Sequence, residues 1–178
     1  MKRLLTFALC FAMYAPLAMG QTVEKRSIQG LDATGDDFVY FNLTSGEIIP
    51  KEAAAFGGWD IAFQGTNIQV NGEAQFVDSK YDELVEAPED GFLAEESGPV
   101  TLPSGGTDGW FNYDFNTHVI SPIANRLIVV KTKGGHYAKL EILDYYKVAF
   151  GDNGPAPAPR YYTFKYALQT TKGRSFVN

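Results

Sequence analysis

Short runs of β-branched and aromatic residues, each bounded by glycine or proline, occupy the last third of this 178-residue chain. Arg126–Thr132 and residues 136–143 flank a Lys-Gly-Gly turn, and residues 160–168 follow a proline-rich segment. Residues of these types favour extended strands, and glycine and proline interrupt them. The pattern predicts a β-hairpin, then a loop, then a further strand.

The first half of the chain shows the same period of two. Residues 59–63 and 110–115 alternate between larger apolar or aromatic side chains and smaller or polar ones, which is typical of half-buried strands. Residues 66–70 and 73–77 lie on either side of Asn71-Gly72, a strong two-residue hairpin signal. We therefore expect consecutive antiparallel strands here.

No stretch of ten residues carries the apolar stripe of an amphipathic helix, so only short helical turns are expected. The predicted fold is all-β: an antiparallel, β-sandwich-like single domain over residues 35–178. Residues 86–106, rich in glycine and proline, predict a long surface loop. Residues 21–34 are polar and predict a flexible lead-in or an edge segment.

The N-terminus has the parts of a secretory signal peptide over residues 1–20: a basic start, a short apolar core and the small-residue ending Ala18-Met19-Gly20. We expect cleavage before Gln21 and export to the periplasm, the outer cell surface or the extracellular medium. Lipoprotein cleavage before Cys10 is disfavoured because Leu9 stands where a small residue is usual. No later run is long enough to predict a transmembrane segment.

Processing changes the charge and the available ligands. The formal net charge of −6 becomes −8 when Lys2 and Arg3 are removed, which argues against nucleic acid as a partner. The same cleavage removes Cys10 and every methionine, so thiol chemistry and sulfur ligation are excluded from the mature chain. The common hydrolase and nucleotide-binding motifs are absent from the sequence, so we expect a protein that is not an enzyme.

Several segments are similar in sequence to a known family. They are Thr117-His118-Val-Ile-Ser-Pro122, residues 126–146 and 160–166, and upstream residues 39–47 and 59–63. Together they cover most of residues 35–170, and the sequence resembles the HmuY family of secreted and surface haem-binding proteins. The resemblance implies a haemophore-like protein of iron acquisition, which captures haem and delivers it to an outer-membrane haem receptor.

Members of that family hold haem between two axial side chains, His or Met, on loops between strands. With sulfur absent, the candidate cofactor-binding and metal ligands are His118, in the family-like segment, and His136, beside the Lys-Gly-Gly turn. Arg126, Lys131 and Lys133 are candidate partners for the haem propionates.

The family's second ligand would fall in the loop after the hairpin, yet residues 151–159 contain neither His nor Met. A five-coordinate site, a tyrosine ligand or another ligand altogether therefore stay open. The candidate tyrosines are Tyr145, Tyr146, Tyr161 and Tyr162. The alternative function is a secreted, non-enzymatic β-sandwich module that binds a glycan or a protein through residues 86–106.

Overall fold

The computed structural model describes residues 22–151, 154–171 and 173–178, so the expected signal peptide lies outside the described residues. Strands and one helical turn, α1 (Lys51–Ala54), alternate with loops along these ranges. The strands are β1 (Val23–Asp32), β2 (Val39–Asn42), β3 (Glu47–Ile49), β4 (Ile61–Gln64), β5 (Asn67–Val70), β6 (Gly72–Asp78), β7 (Val100–Thr101), β8 (Phe111–Asp114), β9 (Val119–Pro122), β10 (Arg126–Thr132), β11 (Tyr137–Gly151) and β12 (Gly154–Gln169).

The strands form two antiparallel five-stranded sheets and a separate hairpin. Sheet one has the order β1-β12-β11-β10-β6, and sheet two has the order β3-β2-β4-β5-β7. Strands β8 and β9 pair with each other as a two-stranded hairpin outside these sheets. One apolar core lies between the two sheets. The predicted all-β, antiparallel sandwich is therefore confirmed.

Strand β12 supplies the centre of that core. Every second side chain, from Tyr162 through Phe164 and Tyr166 to Leu168, is essentially inaccessible to solvent, as its alternation predicts. The Phe164 ring meets Phe41 of sheet two edge-on, with the centroids 5.6 Å apart. The buried Tyr166 hydroxyl donates to the Leu43 carbonyl at 2.9 Å, so its polar tip is satisfied within the core.

The opposite face of sheet one is also covered. Leu127 and Val129 of β10 are fully buried there, against residues 81–92 and the C-terminal Phe176. Part of the interval expected as a surface loop therefore packs on the sheet, because the outward apolar side chains of β10 need cover. Lys139 is buried with it: its ammonium donates to the Leu84 carbonyl at 2.8 Å, and burial lowers its pKa.

The Asn71-Gly72 hairpin prediction is wrong. Strand β5 pairs with β4 and β7, whereas β6 pairs with β10, so the chain crosses from one sheet to the other at Asn71. The Asn71 side chain is buried and donates to the Trp59 carbonyl at 3.0 Å. A Cβ at Gly72 would lie 2.3 Å from the Lys131 carbonyl oxygen. Glycine is required here by the close approach of β10 rather than by a tight turn.

Gly72→Ala should therefore destabilise the fold by about 1–3 kcal/mol, because the added methyl overlaps backbone that cannot move aside easily. Urea denaturation followed by circular dichroism measures the change. Gly35→Ala is the control, because a Cβ at Gly35 meets its nearest atom at 4.0 Å. Equal unfolding free energies for the two variants would contradict the tight packing at Gly72.

Residues 21–34 were expected as a flexible lead-in or an edge segment, and the edge segment is what the structure shows. Strand β1 pairs with β12 from Val23 opposite Gln169 to Asp32 opposite Tyr161. Between the buried ends Val23 and Leu31, its side chains are only partly buried or exposed, so the apolar pattern typical of a strand is weak in this segment.

The proline-rich segment is also a strand rather than the expected loop. Pro155, Pro157 and Pro159 lie in β12 opposite Phe150, Val148 and Tyr146 of β11. Prolines at every second position place their missing N–H groups on the same edge of β12. Strand β1 flanks that edge only from Tyr161 onward, so the prolines, which precede Tyr161, face no strand there. Residues 146–151 and 154–159 thus extend past the sheet as a two-stranded arm.

Candidate functional site

A groove of about 760 Å³ opens where the arm meets three other parts of the chain: the β8–β9 hairpin, the β4–β5 turn and the loop after β1. Both aromatic and polar side chains line it. The lining residues are Gly35, Asp36, Gln64, Gly65, Thr66, Asn67, Thr117, His118, Val119, Ile120, Tyr145, Tyr146, Pro157, Pro159 and Arg160.

The β8–β9 turn presents His118 to this groove. Asp114 Oδ1 accepts the backbone N–H groups of Asn116 at 2.8 Å and of Thr117 at 3.3 Å, and these bonds lower the pKa of Asp114. His118 then closes the turn with φ +56°, a left-handed conformation that is uncommon outside glycine. The sharp turn leaves the His118 side chain exposed at the rim.

One ring nitrogen of His118 already has a partner. Its Nδ1 lies 2.6 Å from the Tyr113 hydroxyl oxygen, and Tyr113 is not among the residues that line the groove. Nε2 is therefore the ring nitrogen left for a ligand in the groove. With the proton on Nδ1 and donated to the phenol oxygen, Nε2 carries a free lone pair and can coordinate a metal ion.

The hairpin that carries His118 is fixed at two places. The Ile120 N–H donates to the Tyr146 hydroxyl at 2.9 Å, which joins β9 to the arm. Trp110, which precedes β8, is 2 % exposed, and its Nε1 donates to the Thr66 carbonyl at 3.0 Å. The imidazole therefore sits on a supported hairpin.

Two of the four tyrosines considered as ligands, Tyr145 and Tyr146, line the groove. Burial raises the pKa of Tyr145, although the nearby Arg160 guanidinium acts in the opposite direction. Burial also raises the pKa of Tyr162, whose hydroxyl donates to the Gly65 carbonyl at 2.8 Å inside the core. Tyr161 lies outside the groove, beneath the Lys147 ammonium. Burial of Tyr145 and Tyr162 therefore disfavours the phenolate form that metal ligation needs.

Arg160 is a groove residue that sequence reasoning missed. It begins the core-facing part of β12 and has φ +70°. Asp36 is the other lining residue with a full formal charge. Nothing in the sequence singled out Arg160, because it stands as the first residue of the predicted strand 160–168, directly after the expected loop.

The structure does not bring His118 and His136 together. His136 lies in the β10–β11 turn, ten residues before Tyr146 of β11, a separation of about 30 Å at the usual strand rise of roughly 3.3 Å per residue. Its Nδ1 is buried and has no hydrogen-bond partner among the described residues. One ligand in the groove therefore cannot contact both histidines, and the role of each as a ligand stays a prediction.

The basic residues expected at the propionates also lie elsewhere. Arg126 forms a salt bridge with Asp78 at 2.8 Å, and Lys131 forms one with Glu73 at 2.7 Å. Lys133 lies at the His136 end of the molecule, beside Lys131 and Gly135. None of the three lines the groove.

No group of three or more His, Cys, Asp or Glu side chains within the described ranges is arranged to hold a metal ion. None of the helical structure in the same ranges is both long and apolar enough to cross a membrane.

Several solved structures have the same fold. The apo HmuY analogue TFO of Tannerella forsythia shares 17% identity with a TM-score of 0.60, covering 84% of this chain and 98% of that one. Apo PinO from Porphyromonas gingivitis shares 16% identity with a TM-score of 0.53, covering 84% and 98%. A HmuY-like protein of Bacteroides vulgatus, proposed to bind haem, shares 16% identity with a TM-score of 0.51, covering 81% and 90%.

At these identities the structural likeness establishes the fold alone. No curated protein gives a significant sequence match. The family model described as HmuY protein matches residues 34–166, which include every strand except β1 and the end of β12, and all of the groove-lining positions. The chain therefore belongs to the HmuY family.

Proposed function

We propose that this protein binds haem in the groove, with Nε2 of His118 as an axial ligand. The observation that carries the proposal is the placement of His118. Its Nδ1 is held by Tyr113 outside the groove, while the residue itself lines a groove walled by Tyr145, Tyr146 and Pro157. Membership of the HmuY family, and the haem binding proposed for the Bacteroides vulgatus relative, support the same ligand.

The residues that line the groove are suited to bind haem. A groove of about 760 Å³ falls within the ~300–1,000 Å³ typical of small-molecule sites. Val119, Ile120 and the arm prolines offer apolar surface, and the two tyrosine rings offer flat aromatic surface. Haem would supply an iron ion, which a histidine nitrogen can coordinate. Nε2 of His118 would hold that iron, and the surrounding side chains would pack against the porphyrin.

The chain supplies one strong axial donor at this groove. His118 is the only histidine among the described lining residues, and the sequence contains neither Cys nor Met after Met19. We therefore propose single-histidine ligation in place of the paired ligation suggested by the resemblance. Tyr146 is the lining phenol that remains as a weaker second donor.

The wider role is proposed from the family and from the N-terminal sequence. The protein is exported after cleavage of residues 1–20, captures haem outside the inner membrane and passes it to an outer-membrane uptake receptor. Binding without catalysis is part of this proposal. The protein would then act in iron acquisition as a carrier.

Titration of the mature protein with haemin tests the function. We expect a sharp Soret band that saturates at one haem per chain, because an axial bond and a defined groove give a single environment. A broad, non-saturating spectrum would indicate non-specific association. That result would favour the alternative, a β-sandwich module for a glycan or a protein.

Tyr113→Phe should weaken haem binding by about tenfold, the lower end of the roughly 10–100-fold cost of removing a partner behind a metal ligand. The lost hydrogen bond frees the imidazole to rotate and changes the electron density at Nε2. Haemin titration and the reduction potential of the bound haem measure both effects. Tyr137→Phe is the control, because Tyr137 packs against Phe92 at the far end of β11. If Tyr113→Phe keeps the wild-type affinity and potential, Tyr113 does not orient His118.

A further inference from the structure

Unusual backbone conformations are concentrated at the groove. Among the described residues other than glycine, His118, Asn125 and Arg160 have positive φ, at +56°, +61° and +70°. Asparagine and histidine are enriched in this left-handed conformation, whereas arginine adopts it at a cost in free energy. His118 and Arg160 both line the groove. Such strain persists where the surrounding structure, and often a function, requires the side chain in place.

Arg160 differs from the other described arginines in its partners. Arg26, Arg126 and Arg174 each form a salt bridge with a carboxylate. Within the described part of the chain Arg160 forms none; it makes a long hydrogen bond, 3.5 Å, to the Thr34 carbonyl. It also interacts with the Tyr145 side chain through its charge and a side-chain hydrogen bond. Most of its guanidinium donors therefore remain for a ligand.

We infer that Arg160 binds a carboxylate of the ligand in the groove, so that the groove selects tetrapyrroles with free carboxylates. The inference rests on the proposed function and adds a specificity-determining contact to it. A guanidinium presents two parallel N–H donors that match a carboxylate, and the match is lost when the carboxylate is esterified. His118 and Arg160 then contact two chemically different parts of one ligand.

Haemin and haemin dimethyl ester, titrated in the same buffer and co-solvent, test this contact. We expect the wild-type protein to bind haemin about fivefold more tightly than the ester, the upper end for a solvent-accessible charge pair. Arg160→Gln should weaken haemin binding and bring the ratio close to one, with the ester affinity unchanged. Arg160→Lys should fall between them, because an ammonium keeps the charge but loses the paired donors.

Lys147→Gln is the matched control. Its ammonium also lies on the arm, 3.5 Å from the centroid of the Tyr161 ring, but Lys147 does not line the groove. This variant should keep the wild-type ratio. Equal loss of discrimination in Lys147→Gln and Arg160→Gln would show a general effect of charge and overturn the specific contact.

Arg160→Gly separates the lost contact from a damaged fold. Glycine adopts a positive φ without the steric penalty, so this variant should match or exceed the wild-type urea midpoint while losing the preference for haemin. An unchanged preference in Arg160→Gly and Arg160→Gln would overturn the inference and leave the haem groove intact. Absence of specific haemin binding in the wild type would instead overturn the proposed function itself.

Discussion

Replacing Phe164 with alanine should lower the free energy of unfolding by about 3–5 kcal/mol, the range for deleting a large ring from a packed core. Phe164 is fully buried in β12, and its ring contacts Phe41 and Phe63 of sheet two at centroid distances of 5.6 and 5.4 Å. The cavity would open between the two sheets, where neither can close it without losing its own packing. Urea denaturation, followed by circular dichroism, measures the loss.

Phe150→Ala is the matched control for this prediction. The Phe150 side chain is 84 % exposed on the arm, so its removal should change the unfolding free energy by less than about 0.5 kcal/mol. Similar losses in the two variants would mean that β12 is not the centre of the core.

Replacing His118 with alanine should weaken haemin binding at least about tenfold, or ~1.4 kcal/mol, and shift the Soret maximum. The variant removes the strong axial donor, which leaves the ligand held by burial in the groove and by side-chain contacts. Absorption titration with haemin, compared with the wild type at equal protein concentration, measures both changes.

His136→Ala controls for the loss of a histidine. His136 lies about 30 Å from the groove along β11, by the usual strand rise, so this variant should keep the wild-type Soret band and affinity. A wild-type spectrum for His118→Ala would contradict the assignment of the axial ligand and move it to Tyr146. A changed spectrum for His136→Ala alone would place haem at the opposite end of the molecule.

The sequence predicted the strands and turns that depend on residues close together in the chain. The β10–β11 hairpin follows from a glycine turn between two β-rich runs, and the buried face of β12 follows from its alternation. Gly72 was misinterpreted because its requirement comes from the Lys131 carbonyl, a contact made only in the folded chain. The proline-rich half of β12 was missed because proline normally ends a strand. Here the prolines pair with β11 on one side of β12, and no strand flanks the other side, where their N–H groups are missing.

The candidate site was predicted only in part, because several of its features depend on contacts made only in the folded chain. The resemblance directed attention to His118, and the structure places it at the groove. The contributions of Tyr113 and Arg160 depend on a turn and on two unusual φ angles, which have no signature in the pattern of residue types. The separation of His118 from His136 follows from the length of β11, which continues to Gly151, whereas the sequence predicts a strand only over residues 136–143.

The most direct test of the groove as the haem site is NMR spectroscopy of the isotope-labelled mature protein with zinc protoporphyrin, a diamagnetic analogue that accepts one axial ligand. We expect the largest amide shift changes at residues 117–120, at Tyr145 and Tyr146, and at residues 64–67, which together line the groove. Changes centred on the β10–β11 turn around His136, or spread evenly over the surface, would contradict the groove as the haem site.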